Sequence, residues 1–358
     1  MTLQPRQQAL LAALIERYVE TAEPVGSTAL VGDARFVERA GTVSSATVRN
    51  ELAELEALGL VAQPHTSAGR VPTDAGYRLY VTEMLRPRAV RPVERRRIER
   101  GIAAPATSVE DALREACVAL AQLTGYPAVA TLPGASRDTL RHLQINSLPP
   151  RRLILVLVTA SGRVEHRLFE VEDGVPAERL ATVVNFLNGA LAGRTLASLR
   201  QLSFETLSAG LHGAETVALA QRAFDWVQNS IPAETDERIV VQGLVTLLDE
   251  PEFSDIAPAR AAMRLFEDEA AVAHLLLSPF EDNEYGRNPR YSIIVGSEYG
   301  AAGAAGNARF SLVGVAYGAG DETLGAVGVF GPTRMKYGEA AALLPALAAR
   351  LQSSLESI

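Results

Sequence analysis

Four short helical patterns, the last two separated by a Gly-containing ribbon, are crowded into the first 86 residues of this 358-residue chain. Leu10, Leu11, Leu14, Ile15, Tyr18 and Val19 recur at helical spacing over residues 5–22, and Pro24 stands where that helix must stop. Gly26 and Ser27 open a second segment that runs to residue 30 and extends to residue 37 or 38 before Gly41 breaks it. Val48, Leu52, Leu55 and Leu58 form one stripe over residues 45–58, with Ser44 or Ser45 as N-cap and Gly59 just past the end. Residues 60–63, the polar stretch 65–70 and Val71-Pro72 then suggest a short ribbon with a flexible tip. Thr73 caps a fourth helix that buries Tyr77, Tyr80, Val81, Met84 and Leu85. Helix, helix, helix, ribbon, helix is the order of a winged helix-turn-helix.

The net charge of −8 argues at first against nucleic acid, whose phosphates must be answered by cations. The distribution reverses that inference. Residues 1–100 hold 14 Arg against 12 acidic residues, while the remainder holds 20 basic against 30 acidic. Lys336 is the chain's one lysine, so arginine must supply the positive charge. Residues 86–100 carry seven Arg and two Pro with a fading apolar pattern, and a linker is expected at 87–104. Its arginines either coat a solvated connecting helix or add phosphate contacts.

The third helix shows which side would face DNA. At roughly 100° per residue from Val48, Leu52 and Leu55 fall close to it, while Ala46, Arg49, Asn50 and Ala53 fall on the far side. Arg pairs its hydrogen bonds with guanine and Asn with adenine, so Arg49 and Asn50 are the candidate base readers. Ala46 and Ala53 let the backbone come close. Ser44, Ser45 and Thr47, at the helix start, suit phosphate oxygens. His65, Thr66, Ser67 and Arg70 at the presumed wing can reach a neighbouring phosphate or the minor groove. Each residue also has a local reading: Arg49 paired with Glu51 or Glu56, Ser45 only a cap, the wing an ordinary turn. Their coincidence in one ordered segment favours the DNA-binding reading.

Beyond residue 104, a helix over 109–123 leads into strands at 140–147, 153–159 and 164–171. A second strand group lies at 291–295, 308–317 and 323–330, before a C-terminal helix interrupted by Pro345. Residues 173–285 read as mostly helical, with one strand near 238–241. The fold class expected is α+β: a sheet split by an insertion, behind a winged helix-turn-helix. The loop 300–306, of Gly and Ala, reads as a flexible tip. Gly331-Pro332-Thr333-Arg334 reads as a turn opening a helix, with its Arg paired locally.

Enzyme chemistry has no footing in these residues. The five His (65, 142, 166, 212 and 274) lack metal-site spacing, and neither a Walker loop nor a nucleophile elbow occurs. Cys117 stands alone in an apolar setting and reads as a core thiol, which excludes an intrachain disulfide and a cysteine zinc cluster. No cofactor and no metal are expected. Neither a membrane span nor a signal peptide is supported, which points to a cytoplasmic protein.

Three blocks carry a resemblance: Glu23-Pro24-Val25-Gly26-Ser27, Ser44-Ser45-Ala46-Thr47-Val48-Arg49-Asn50-Glu51-Leu52, and the stretch from Gln63 through Gly69-Arg70 to Thr73. A fourth is Gly325-Ala326-Val327-Gly328-Val329-Phe330-Gly331-Pro332-Thr333-Arg334-Met335-Lys336-Tyr337. Together they resemble the heat-inducible transcription repressor family HrcA over almost the whole chain. The stretch 31–43 is longer than that family's usual pattern, and Lys336 stands where an acidic residue is common. The resemblance implies a homodimer bound to double-stranded DNA at an inverted-repeat operator ahead of chaperone genes, kept active by the chaperonin. It also implies a GAF-like regulatory domain in two pieces (105–172 and 286–358) around an inserted dimerisation domain (173–285). The rival reading is a winged-helix repressor of another regulon, switched by a small ligand of the GAF-like domain.

Overall fold

The computed structural model describes residues 3–66, 68–102, 108–134, 138–160, 162–171, 174–230, 238–281, 291–296, 298, 310–319 and 322–355. The N-terminal pattern folds as α1 (Pro5–Thr21), α2 (Ser27–Val31), α3 (Ala34–Ala40), α4 (Ser45–Ala57), β1 (Val61–Ala62), β2 (Val71–Pro72) and α5 (Asp74–Leu79), which a π-helical turn, Tyr80–Met84, prolongs. No segment is long enough to bury a face alone, and they share one core. Leu10, Leu11 and Leu14 of α1, Phe36 of α3, Val48, Leu52 and Leu55 of α4, and Tyr77 and Val81 all join it. The second segment, expected to run unbroken to residue 37 or 38, is instead two helices. Gly32 closes α2, and the Asp33 carboxylate accepts the amides of Arg35 at 3.0 Å and Phe36 at 3.4 Å to start α3.

Residues 86–91 form neither helix nor strand, but most of the expected linker is a packed helix, α6 (Pro92–Gly101). Two arginines just ahead of it, Arg88 and Arg91, are held by a buried carboxylate, whereas Arg95, Arg96, Arg97 and Arg100 on the helix itself meet no carboxylate among the described residues. Arg88 meets Glu94 at 2.6 Å and Glu339 at 2.6 Å, Arg91 also pairs with Glu94, and Ile98 is buried beside them. The Arg88 guanidinium, with help from Arg91 and against the opposing effect of burial, pulls Glu94 down to about 2.

The chain continues as α7 (Val109–Thr124), β3 (Ala128–Thr131), β4 (Leu140–Leu148), β5 (Arg152–Thr159) and β6 (Val164–Glu170). Four helices follow: α8 (Ala177–Leu191), α9 (Leu196–Arg200), α10 (Phe204–Leu207) and α11 (Ala214–Ser230). Then come β7 (Ile239–Gln242), α12 (Ile256–Glu267), α13 (Glu269–Glu281), β8 (Ser292–Val295), β9 (Phe310–Ala319), β10 (Glu322–Pro332) and α14 (Tyr337–Leu355).

The single split sheet expected is two sheets. β7, β3, β10, β9 and β8, in that order, make a five-stranded antiparallel sheet, while β4, β5 and β6 make a separate one of three. In the smaller sheet Leu143, Ile145, Leu153, Leu155 and Leu157 face inward and share a core with Val183 and Leu187 of α8 and Phe224 and Val227 of α11. These strands therefore pack with the helices that follow them and not with the C-terminal strands. The Leu132 amide donates to the Arg238 carbonyl at 2.9 Å, so the excursion leaves β3 and returns to β7 at one place.

The larger sheet is covered on both faces. Ala128, Val313, Val327 and Val329 share a core with Leu113 and Leu120 of α7 and Leu344 and Leu347 of α14. Val129, Leu312, Ala326 and Phe330 turn to Phe266 of α12 and Leu276 of α13. Pro345 does not interrupt α14, because Leu343, Leu344, Leu347 and Leu351, on both sides of it, are fully buried. Packing of that extent outweighs the one helical hydrogen bond that proline removes. Cys117 is a core thiol, pushed up to about 12 by burial. The loop 300–306 lies outside the described residues. Among the described residues no helix is long and apolar enough to cross a membrane.

Candidate nucleic-acid interface

The surface centres on α4, which is anchored from behind at both ends. Val48 and Leu55 are fully buried and Leu52 nearly so. Ser44 is the N-cap, its Oγ accepting the Thr47 amide at 3.1 Å and lying 2.9 Å from the Thr47 hydroxyl. The Ser45 hydroxyl is 3.5 Å from that of Ser27, so the starts of α2 and α4 meet. From α1, Arg6 pairs with the buried Glu51, and Gln7 Nε2 donates to Glu54 at 2.7 Å. Neither clamp was evident in the sequence, where Arg6 and Glu51 are far apart and nothing marks them as partners.

Ala46, Arg49, Asn50 and Ala53 are all exposed, on the side of α4 opposite its leucines. Arg49 meets no carboxylate among the described residues. Its Nε donates only to the Ser45 carbonyl, at 3.3 Å, which lays the guanidinium along the helix start. The local alternative, pairing with Glu51 or Glu56, is not what the structure holds: Glu51 is taken by Arg6 and Glu56 by Arg70. Asn50 has no side-chain hydrogen bond among the described residues, so its amide is free in both senses.

The wing is a two-stranded ribbon in which Val61 pairs with Pro72 and Ala62 with Val71. Gln63 closes its loop, donating Nε2 to the carbonyls of Thr66 at 3.0 Å and Ala68 at 2.9 Å. His65 and Thr66 are exposed at the tip, and Ser67 lies outside the described residues. Arg70 is placed differently from the expectation that it reaches outward. Its side chain, 19% exposed, turns inward to Glu56 at 2.8 Å, and its backbone exchanges two hydrogen bonds with Val25, each 2.9 Å. The Glu56 carboxylate on α4 holds the guanidinium there, and Gly69 lets the backbone pair so closely that a Cβ would sit 2.4 Å from the Val25 carbonyl carbon. The candidate residues thus fall into three groups: an exposed reading face (Arg49, Asn50), a hydroxyl cluster at the helix start (Ser44, Ser45, Thr47), and a wing tip (His65, Thr66) braced by Arg70.

Residues 2–85 match the family described as "Winged helix-turn-helix transcription repressor, HrcA DNA-binding", and residues 110–340 match "HrcA protein C terminal domain". The chain belongs to the HrcA family. Among curated HrcA relatives, the heat-inducible transcription repressor of Moorella thermoacetica is 33% identical, covering 100% of this chain and 99% of its own length. That of Geobacter sulfurreducens is 35% identical over 93% of this chain and 92% of its own. A crystal structure of a hypothetical protein at 2.2 Å resolution covers 99% of this chain and 98% of its own with a TM-score of 0.57, showing the same fold at 23% identity. As an HrcA member the chain is a heat-inducible transcription repressor with a winged-helix DNA-binding domain, in a family of repressors and not of enzymes.

Proposed function

We propose that the chain binds, as a homodimer, an inverted-repeat operator ahead of chaperone genes and represses them, with the chaperonin keeping the repressor active. The observation that carries the DNA-reading part is the exposed, carboxylate-free Arg49 beside a free Asn50 on a helix whose other face is locked in the core. In this reading Arg49 and Asn50 read base edges in the major groove. Ser44, Ser45 and Thr47 set the register on phosphate, while the wing tip, His65 to Ser67, meets the neighbouring backbone. Arg70 acts as the strut that holds the wing, since Glu56 occupies its guanidinium.

The remaining assignments follow from the family resemblance and are supported by the architecture. The five-stranded antiparallel sheet, covered by helices on both faces, is read as the GAF-like regulatory domain. The excursion between β3 and β7 is read as the dimerisation insertion, in place of 173–285, because its core is its own. Twofold operators call for twofold proteins. The excursion also has a face to offer: Ile154, Val156 and Val158 on β5 lie beside Val164 and Leu168 on β6, which are 57% and 52% exposed. A second copy of the chain is the occupant proposed for that face.

Footprinting of the chain on the DNA ahead of the chaperone genes of its own genome tests the reading. Protection of both arms of one inverted repeat is expected, lost when either arm is scrambled. Protection with no sequence preference, or of a single arm, contradicts it.

A further inference from the structure

Arg334 does not pair locally. It sits in the turn between β10 and α14, its side chain 11% exposed, and reaches two distant parts of the chain. Its Nη2 donates to Glu250 at 2.5 Å, its Nε to Glu252 at 2.5 Å, and its Nη1 to the Val19 carbonyl at 3.3 Å. Val19 lies in the last turn of α1, where carbonyls have no partner in the helix and the helix dipole favours a cation. Between β7 and α12 the chain makes two 3-10 turns, Leu244–Asp249 and Pro251–Phe253; Glu250 joins them and Glu252 lies in the second. One guanidinium therefore fastens the end of α1 both to its own turn between β10 and α14 and to the connection between β7 and α12.

The fastening lies far from the reading face. Arg6, which holds Glu51 of α4, and Val19 are thirteen positions apart on α1, or roughly 20 Å at 1.5 Å per residue. The seam has a second tie at the other side of the shared core, where Arg78 pairs with Glu298 and donates to the Ile293 carbonyl at 2.9 Å and Tyr77 packs on Tyr337. A cavity of about 180 Å³ opens beside the node, between Val19 and Glu20 of α1 and Met335 and Lys336. The covalent connection, residues 86–91, has no regular structure. Within it Arg88 is tied to Glu94 and Glu339, which anchors the connection to the larger domain and leaves the end of α1 to Arg334.

We propose that Arg334 is a positioning residue for operator recognition: by tying the end of α1 to Glu250 and Glu252, it fixes the angle at which each recognition helix leaves the dimer and so selects the spacing between half-sites. The inference rests on the reading of the chain as a dimer bound to an inverted repeat. When two modules are joined, the second binding step is intramolecular, and its strength depends on whether both sites can be engaged in the geometry the joint allows. A stiff joint favours one half-site spacing. A loose joint accepts several at reduced avidity.

The test uses the full-length chain and an inverted repeat that it selects from a random DNA pool. Affinity is measured for that duplex, for versions with the spacer changed by one or two base pairs, and for a single arm. For the wild type, each spacer change is expected to weaken binding about tenfold or more. In Arg334→Gln, and independently in Glu250→Gln/Glu252→Gln, single-arm affinity should stay within about twofold, while the spread across spacers should shrink to about threefold. Arg334→Lys, which keeps a charge but not the fork, should fall between. An unchanged spacer preference in either folded variant overturns the proposal. So does a proportional loss on every duplex, which marks a purely structural role, and so does failure of both variants to fold. A wild-type chain that selects no sequence overturns the DNA-binding reading instead.

Discussion

The arginines of the first hundred residues divide by whether a carboxylate is waiting for them. Arg6, Arg17, Arg35, Arg39, Arg70, Arg78, Arg88 and Arg91 each find one; among the described residues Arg49 on α4 does not, nor do Arg86 and the α6 arginines Arg95, Arg96, Arg97 and Arg100. A guanidinium left free on a helix whose core face is so well anchored is available to a ligand, whereas the carboxylates that hold the other arginines are structural partners. Glu94 is the clearest of those partners. Its pKa is lower in the folded chain than the ordinary 4.5, so the stability it contributes is present in full above that value and fades as pH falls from there toward 2. Glu94→Gln should cost about 1.5–3 kcal/mol at pH 7, the worth of hydrogen bonds to a charged group. The thermal midpoints of variant and wild type should converge between pH 4.5 and 2. A constant gap across that range would show the carboxylate's charge to be irrelevant. The outward face of Arg49 and Asn50 was legible from the leucine stripe alone, because helical periodicity fixes which side is left over. Arg70–Glu56 and Arg334–Glu252 were not, since opposite charges in a sequence declare no partner until the chain has folded.

At the level of elements, the wing owes its shape to one close approach. Gly69→Ala would place a methyl 2.4 Å from the Val25 carbonyl carbon, in backbone that has no rotamer to yield. It should break the paired Val25 and Arg70 hydrogen bonds and destabilise the domain by about 1–3 kcal/mol. Hydrogen exchange at the Val25 and Arg70 amides is the check, with faster exchange expected. Protection equal to the wild type would mean that the ribbon shifts without cost. Most elements were readable from period and punctuation, including α1, α4, β4, β5 and β6. β3 was missed: Ala128–Thr131 is four residues long and buried throughout, so no alternation marks it. The same limit explains the sheets. Alternation shows that residues 140–170 are strands, but the choice between two cores depends on pairings that only the register reveals.

At the scale of the whole molecule, the described residues form three cores. One is shared by the winged helix and one face of the larger sheet, a second lies under the opposite face, and the third belongs to the excursion alone. The first core, Arg78 and Arg334 join the DNA-binding domain to the rest, while the third makes the excursion a unit with a core of its own. Sequence-specific repression by this chain depends, in the proposed reading, on α4 presenting Arg49 to base edges. The most direct measurement is the affinity of Arg49→Ala for the selected operator and for random DNA at one fixed salt concentration. A loss of about 1–3 kcal/mol on the operator, with random DNA bound as before, is the predicted result. An equal loss on both would make Arg49 a phosphate contact and contradict the account.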